Sequence, residues 1–268
     1  MRLLNYLMVL LTCFNLYASD VNDLYEKAEQ SILKSFRDIN THWCYPSDDW
    51  SRPLSTSSFS VKEIQTSRGL THALIWNPEV QPHIGLALEE ALTTPLESDC
   101  MNASRLVRIK VAYDLMGDKA FHQLVENYSK TYEGFDLLQV LSWHFFEASL
   151  TLDENAIYAY PFVNLPNYLI FKPTGASGNH NIFCLRGHKY VGFEPSLFGE
   201  PLSKADLERF MYEEFKNPQD VTPSLQLEHK RYCSILTFNI FKHMREKNQP
   251  GYYKLNMNKI RQETAKFS

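Results

Sequence analysis

After Pro166 the hydrophobic pattern of this chain changes from helical to extended, and that change constrains its fold more than any other feature. Over most of the chain before it, apolar residues recur every three or four positions, which predicts amphipathic helices. After it, short extended runs alternate with turns such as Arg186-Gly187-His188, which predicts antiparallel strands. Helices followed by an antiparallel sheet indicate the α+β class.

The same patterns predict individual elements. Helices are predicted over residues 20–39, 82–92, 94–116, 118–132, 135–150 and 203–216, and strands over 58–64, 71–76, 168–172, 180–185 and 189–194. The string Thr94-Pro95-Leu96-Glu97 matches a capping box, so the third helix is expected to start there. The apolar run from Ile235 to Phe241 fits either a strand or a helix.

The first residues have the features of a secretory signal peptide. One positive charge is followed by an apolar run from Leu3 to Leu16 and then by small residues. The run is shorter than the about 20 residues of a membrane span. We therefore expect cleavage near Ala18 or Ser19 and a secreted or periplasmic protein. Asn-x-Ser sites at Asn102 and Asn127 fall inside predicted helices, which favours a bacterial protein.

Composition excludes several classes of function. Hydrophobic residues make up 44% of the chain and charged residues 22%, which is typical of a globular protein rather than a disordered one. The ten glycines form no phosphate-binding loop, and the sequence contains neither a Cys-x-x-Cys nor a His-Glu-x-x-His motif. We expect no cofactor and no metal.

The charge is distributed unevenly along the chain. Residues 228–268 contain nine Lys or Arg and three Glu, whereas the whole chain has a net charge of −4. We expect this basic segment to lie against the acidic body of the protein rather than to bind nucleic acid or a membrane.

One segment offers a candidate nucleophile. Cys100 follows Ser98 and Asp99 near the start of a predicted helix, and Arg105 and Arg108 follow on its next turns. A helix N-terminus and nearby cations both stabilise a thiolate. A nucleophilic cysteine also needs a base and a group that orients the base.

Several short strings resemble one family, the bacterial spore-coat type protein-glutamine gamma-glutamyltransferases. The strings are Asp99-Cys100, Gly117-Asp118-Lys119, Phe171-Lys172-Pro173, Gly178-Asn179-His180-Asn181-Ile182 and His188-Lys189-Tyr190. They occur in the family's order over about residues 97–207. The resemblance implies an NlpC/P60-like, papain-related core, in which a helix that bears the nucleophile packs on an antiparallel sheet.

The resemblance also implies roles for individual residues. Cys100 would form a thioester with a glutamine carboxamide of a protein or peptide substrate. His180 falls where the family has its catalytic glutamate and would act as the base. Glu194 or Asn181 would orient its imidazole.

Three functions stay open. The chain is expected to be an exported transglutaminase or deamidase. The alternatives are a papain-like peptidase or cell-wall amidase that uses the same residues, and a secreted interaction protein without catalysis. The expected organisation is a signal peptide over 1–19, an extension over 20–92, a papain-like core over 93–227 and a basic segment over 228–268. The sequence does not indicate an oligomeric state.

The state of the cysteines, free or in disulfides, is expected to distinguish the catalytic functions from the interaction protein. Four of them follow the predicted cleavage site, so two disulfides with three possible pairings are open. If Cys100 is free, at most one disulfide can form. The prediction is then a bridge between Cys44 and Cys233, because Cys184 lies four residues past His180 and close to the expected site.

Overall fold

A computed structural model describes residues 20–39, 43–44, 57–66, 69–94, 96–97, 100–163, 179–192, 199–216 and 252–267 of the chain. The described helices are α1 (residues 20–39), α2 (Ile84–Thr93), α3 (Cys100–Met116), α4 (Asp118–Ser129), α5 (Gly134–His144), α6 (Lys204–Lys216) and α7 (Met257–Phe267). The described strands are β1 (Trp43–Cys44), β2 (Phe59–Thr66), β3 (Gly69–Trp76), β4 (Leu96–Glu97), β5 (Phe146–Ser149), β6 (Tyr158–Val163), β7 (Asn179–Leu185), β8 (Lys189–Gly192) and β9 (Tyr252–Leu255). This mixture of helices and antiparallel sheets agrees with the predicted α+β class.

The largest sheet has five antiparallel strands in the order β5-β9-β6-β7-β8. β9 follows the other four strands in sequence but lies between β5 and β6. Lys254 of β9 is opposite Glu147 of β5 on one side and Tyr158 of β6 on the other. Residues 252–255 of the basic C-terminal segment are therefore an internal part of the sheet.

This sheet separates two layers of side chains. Neighbouring residues of a strand point to opposite faces, so the register puts Ala159 and Phe183 side by side on one face, here called the α3 face. Both belong to the buried cluster that contains the apolar side chains of α3. Ile182 and Cys184 point to the opposite face, here called the α6 face, and pack there with Leu207 of α6.

Helix α3 lies at the centre of the helical layer. It contacts α2, α4, α5, α7 and strand β7. Leu106, Val107, Ile109, Val111 and Ala112 are at most 1% exposed and are distributed around the helix axis, as expected of a helix surrounded by protein. The helix ends at Gly117, whose φ of 80° is a conformation that glycine adopts without steric cost.

The N-terminal and C-terminal parts share this core. Ile32 and Phe36 of α1 are fully buried in the same cluster as α3, and the rings of Phe36 and Phe183 meet edge to face at 5.7 Å. Asp20 of α1 forms an ion pair with Arg261 of α7. The described parts of residues 20–92, 93–227 and 252–267 thus pack around one continuous hydrophobic cluster.

The two strands predicted in the N-terminal third are confirmed, and they pair as a hairpin. β2 and β3 pair from Phe59 opposite Trp76 to Thr66 opposite Gly69, and β3 packs against α5. Its first strand is fixed at its start by Glu90 of α2, whose carboxylate accepts hydrogen bonds from residues 57 and 58.

The predicted capping box at Thr94 is wrong. Leu96 and Glu97 instead form β4, which pairs in parallel with Trp43 and Cys44 of β1. The extended backbone that this pairing requires is incompatible with a first helical turn, so α3 starts after Glu97 and not at residue 94.

The predicted helix over residues 135–150 is right at its start and wrong at its end. α5 stops at His144, and Phe146–Ser149 form β5, which pairs with β9. Pairing with β9, which follows about 100 residues later in the chain, makes residues 146–149 extended. The local helical period of the sequence does not contain this information. The predicted elements at 168–172 and 235–241 lie outside the described residues.

Candidate active site at the start of α3

Cys100 lies in the first turn of α3 (Cys100–Met116), because Glu97 still belongs to strand β4. The first backbone amides of a helix have no partner within the helix and carry its partial positive charge. With the start at residue 94 predicted from the sequence, Cys100 would lie more than a turn inside the helix, where this effect fades. The observed start places its backbone where the stabilisation of a thiolate is strongest.

Arg105 extends from the second turn of α3 toward its first turn. Its Nη1 donates a hydrogen bond to Oδ1 of Asn102 at 2.7 Å, and its Nη2 lies 3.2 Å from the sulfur of Met101. The guanidinium also lies 5.0 Å from the ring centre of Phe135. This arginine therefore brings positive charge to the turn that follows Cys100.

Arg108 is buried on the same helix, with 3% of its surface exposed. Its Nε donates to the carbonyl oxygen of Ser104 at 3.2 Å, so the side chain also extends back toward the helix start. Its guanidinium lies 3.7 Å from the ring centre of Trp143. Burial, and then the charge of Arg105, lower the pKa of Arg108 to about 9.

The two predicted residues of β7 lie on opposite faces of the sheet. His180 is 3% exposed and shares the α6 face with Ile182, and its ring is 6.1 Å from that of Phe210 in α6. Asn181 alternates with it and shares the α3 face with Phe183. The structure therefore brings Asn181, rather than His180, to the side of the sheet on which α3 packs.

The other predicted site residues are only partly described. Glu194 and Cys233 lie outside the described residues. Cys44 lies in β1, where its backbone is opposite Glu97, three residues before Cys100. Cys184 is described fully: it is a buried free cysteine, and burial raises the pKa of its thiol to about 12.

The aromatic surroundings of Arg105 and Arg108 are not predictable from the sequence. Ser104 and Arg108 follow Cys100 at intervals of four residues, so helical spacing alone could have placed them along one line of α3. Trp143, however, comes from α5, and its ring packs against Tyr253 of β9 at 4.4 Å. Tertiary packing alone produces that contact, and no local pattern predicts it.

Other ligand sites have little support within the described residues. No group of three or more His, Cys, Asp or Glu side chains there could hold a metal ion. A cleft of about 420 Å³ lies between α1 and the β7–β8 turn, but its central charges, Glu29 and Arg186, already form an ion pair at 2.8 Å. None of the described helices combines the length and the apolar character needed to span a membrane.

Comparison of the chain with protein-family models, with curated proteins and with solved structures gave no match. The function must therefore be argued from the site.

Proposed function

We propose that the chain is a cysteine acyltransferase that acts on glutamine side chains, with Cys100 as its nucleophile. The position of Cys100 in the first turn of α3, a helix that packs against an antiparallel sheet, carries this proposal. The same arrangement supports a papain-like relationship, and the resemblance to the glutamyltransferases supplies the substrate. In line with the predicted signal peptide, we infer that the reaction takes place outside the cytoplasm.

The first step is the attack of the Cys100 thiolate on the carbon of a glutamine carboxamide. The partial positive charge of a helix N-terminus favours the thiolate form of a cysteine, and in this scheme that charge takes the place of an adjacent base. Backbone amides of the first turn of α3 stabilise the oxyanion of the tetrahedral intermediate. The intermediate then loses ammonia, which takes a proton from water, and leaves a thioester.

In the second step an amine or water attacks the thioester, Cys100 leaves as the thiolate, and the proton lost by the nucleophile goes to the hydroxide that was formed when the departing ammonia took its proton from water. A lysine amine gives a cross-link, and water gives a glutamate. Asn181, on the α3 face of β7, is suited to hydrogen bond the substrate amide. His180 lies on the α6 face, so this scheme assigns it no proton transfer.

Incorporation of a fluorescent amine into a glutamine donor, together with ammonia release, tests the proposal. The wild-type protein is expected to catalyse both, and Cys100→Ala to abolish both. Cys184→Ala is the matched control, because Cys184 is buried and keeps its thiol protonated. Equal labelling by wild type and Cys100→Ala would refute the proposal, and peptide cleavage without amine incorporation would favour the peptidase alternative.

One observation favours a second candidate, a secreted interaction protein without catalysis. The buried His180 packs against Phe210 on the α6 face, so it has a structural environment. On this view Cys100 reacts with alkylating reagents no faster than a free thiol. The rate of its alkylation at pH 6, where an ordinary thiol is protonated, separates the two candidates.

A further inference from the structure

Arg108 is a buried cation without an acidic partner among the described residues. The charged or ionisable groups that act on its guanidinium are Arg105 and Tyr253, and the first of these repels it. Its hydrogen bonding there is limited to the Nε donor, which reaches the carbonyl of Ser104. A buried charge that is not neutralised is costly.

Lys110, two residues further along α3, shows how the same helix treats another buried cation. Its Nζ lies 2.9 Å from Oε1 of Glu89 and 2.5 Å from Oδ1 of Asp114. Two carboxylates therefore neutralise Lys110, whereas none of the described carboxylates neutralises Arg108.

The described hydrogen bond of Arg108 does not use its two outer nitrogens. Trp143 covers a flat face of the guanidinium, and the bond to Ser104 uses the inner nitrogen. The two outer nitrogens form the planar fork that binds a carboxylate through two parallel hydrogen bonds. Both this side chain and Arg105 extend toward the first turn of α3, which itself attracts anions.

We propose that Arg108, supported by Arg105, binds a carboxylate of the acyl donor beside Cys100. This inference rests on the proposed function, and it narrows the substrate to glutamine donors that carry a carboxylate near the reacting amide. The carboxylate would neutralise the buried guanidinium and hold the carboxamide next to the thiolate. Arg108 is then a residue that determines specificity.

The test compares two alkylating reagents of similar size, anionic iodoacetate and neutral iodoacetamide. The reduced, folded protein is treated with each, and the rate at Cys100 is followed by peptide mass spectrometry. Because both reagents attack the same thiolate, the ratio of the two rates isolates the attraction for the anion. Glutathione gives the reference ratio. Lys110→Met is the matched control variant, because it removes a buried cation that two carboxylates already neutralise.

We expect the iodoacetate-to-iodoacetamide ratio at Cys100 to exceed that of glutathione by about tenfold, which corresponds to one charge-assisted hydrogen bond. This rate ratio should fall toward the glutathione value in Arg108→Met. It should also fall in the wild type as salt is added. In Lys110→Met the ratio should stay high. The salt series needs no variant, so it decides the matter even if Arg108→Met does not fold.

The two failures look different. Reaction of Cys100 with both reagents at the glutathione ratio, without a salt effect, refutes the carboxylate site and leaves the proposed function standing. Protection of Cys100 from both reagents in the folded protein refutes the proposed function, and the inference fails with it.

If amine incorporation is observed, blocked glutamine peptides identify the source of the carboxylate. Three donors are compared: one with a free C-terminal carboxylate, one with a C-terminal amide, and one with the amide and a neighbouring glutamate. We expect KM to be lower for a carboxylate donor than for the neutral one, and this advantage to disappear in Arg108→Met. Equal KM values for all three donors would contradict the inference.

Discussion

His144 is held in a site that favours its neutral form. The Tyr128 hydroxyl lies 3.0 Å from its Nδ1, and Oε1 of Glu263 lies 3.9 Å from its Nε2. Burial, and then the charge of Lys259, lower the pKa of His144 to about 4, although Glu263 acts in the opposite direction and Lys266 adds a smaller repulsion. These residues come from α4, α5 and α7, so the protonation of one imidazole affects how three helices pack.

We predict that this site destabilises the protein in acid. In the unfolded chain His144 binds a proton near pH 6.5, whereas in the folded protein it does so only near pH 4. Stability is therefore complete above pH 6.5 and falls as the pH drops toward 4, by at most about 3 kcal/mol. Urea unfolding at pH 7.5 and 4.5 measures this loss.

His144→Gln should lose less stability between the two pH values than the wild type. His122→Gln provides the control, since His122 is partly exposed and lies beside Glu126. A pH dependence unchanged by His144→Gln would show that other groups cause the acid sensitivity.

The cysteines give a second prediction at this scale. In the unreduced, folded protein we expect an alkylating reagent to modify Cys100 alone, because burial keeps Cys184 protonated and inaccessible. Unfolding without reductant should release Cys184 as the second thiol, and Cys44 and Cys233 should react only after reduction. Mass spectrometry of the labelled peptides checks this order. Finding Cys100 in a disulfide would end its assignment as the nucleophile.

At the scale of the element, local signals identified the helices better than their ends. Ser203 accepts a hydrogen bond from the Asp206 amide at 3.1 Å, so the predicted start of α6 is confirmed. The capping-box pattern at Thr94 was equally plausible, but its prediction of a helix start was wrong because β4 pairs with β1. No local pattern in the sequence indicates that pairing. β7 and β8 were predicted from their turn, whereas β6 and β9 were missed.

In the candidate site, too, the features within one element were predictable and the contacts between elements were not. The sequence pointed to Cys100 at a helix start and to two arginines on the following turns, all within one element. It could not establish on which face of the sheet His180 lies, since alternation along β7 has meaning only once α3 is known to pack on one side. Trp143 and Tyr253 became visible only through contacts between elements.

At the scale of the whole molecule, the shared core predicts cooperative unfolding. Leu255 of β9 is fully buried in the cluster that also holds α1 and α3. Leu255→Ala should lower the free energy of unfolding by about 2–5 kcal/mol. Tryptophan fluorescence and far-UV circular dichroism should still report one common transition.

Lys254→Ala is the control for that experiment, because Lys254 is partly exposed and lies on the same strand. Two separate transitions in Leu255→Ala would indicate that the N-terminal part and the sheet unfold independently, contrary to the single cluster described above.

The position of β9 has a consequence for the way the protein is made. Among the described strands, β5 and the group β6-β7-β8 are joined through β9, which leaves the ribosome long after them. Until residue 255 has been synthesised, β9 cannot cover the edges of β5 and β6, and pairings between such distant parts of a chain form slowly. Strand edges that stay uncovered during synthesis favour aggregation, so we expect chaperones to protect them until β9 is in place.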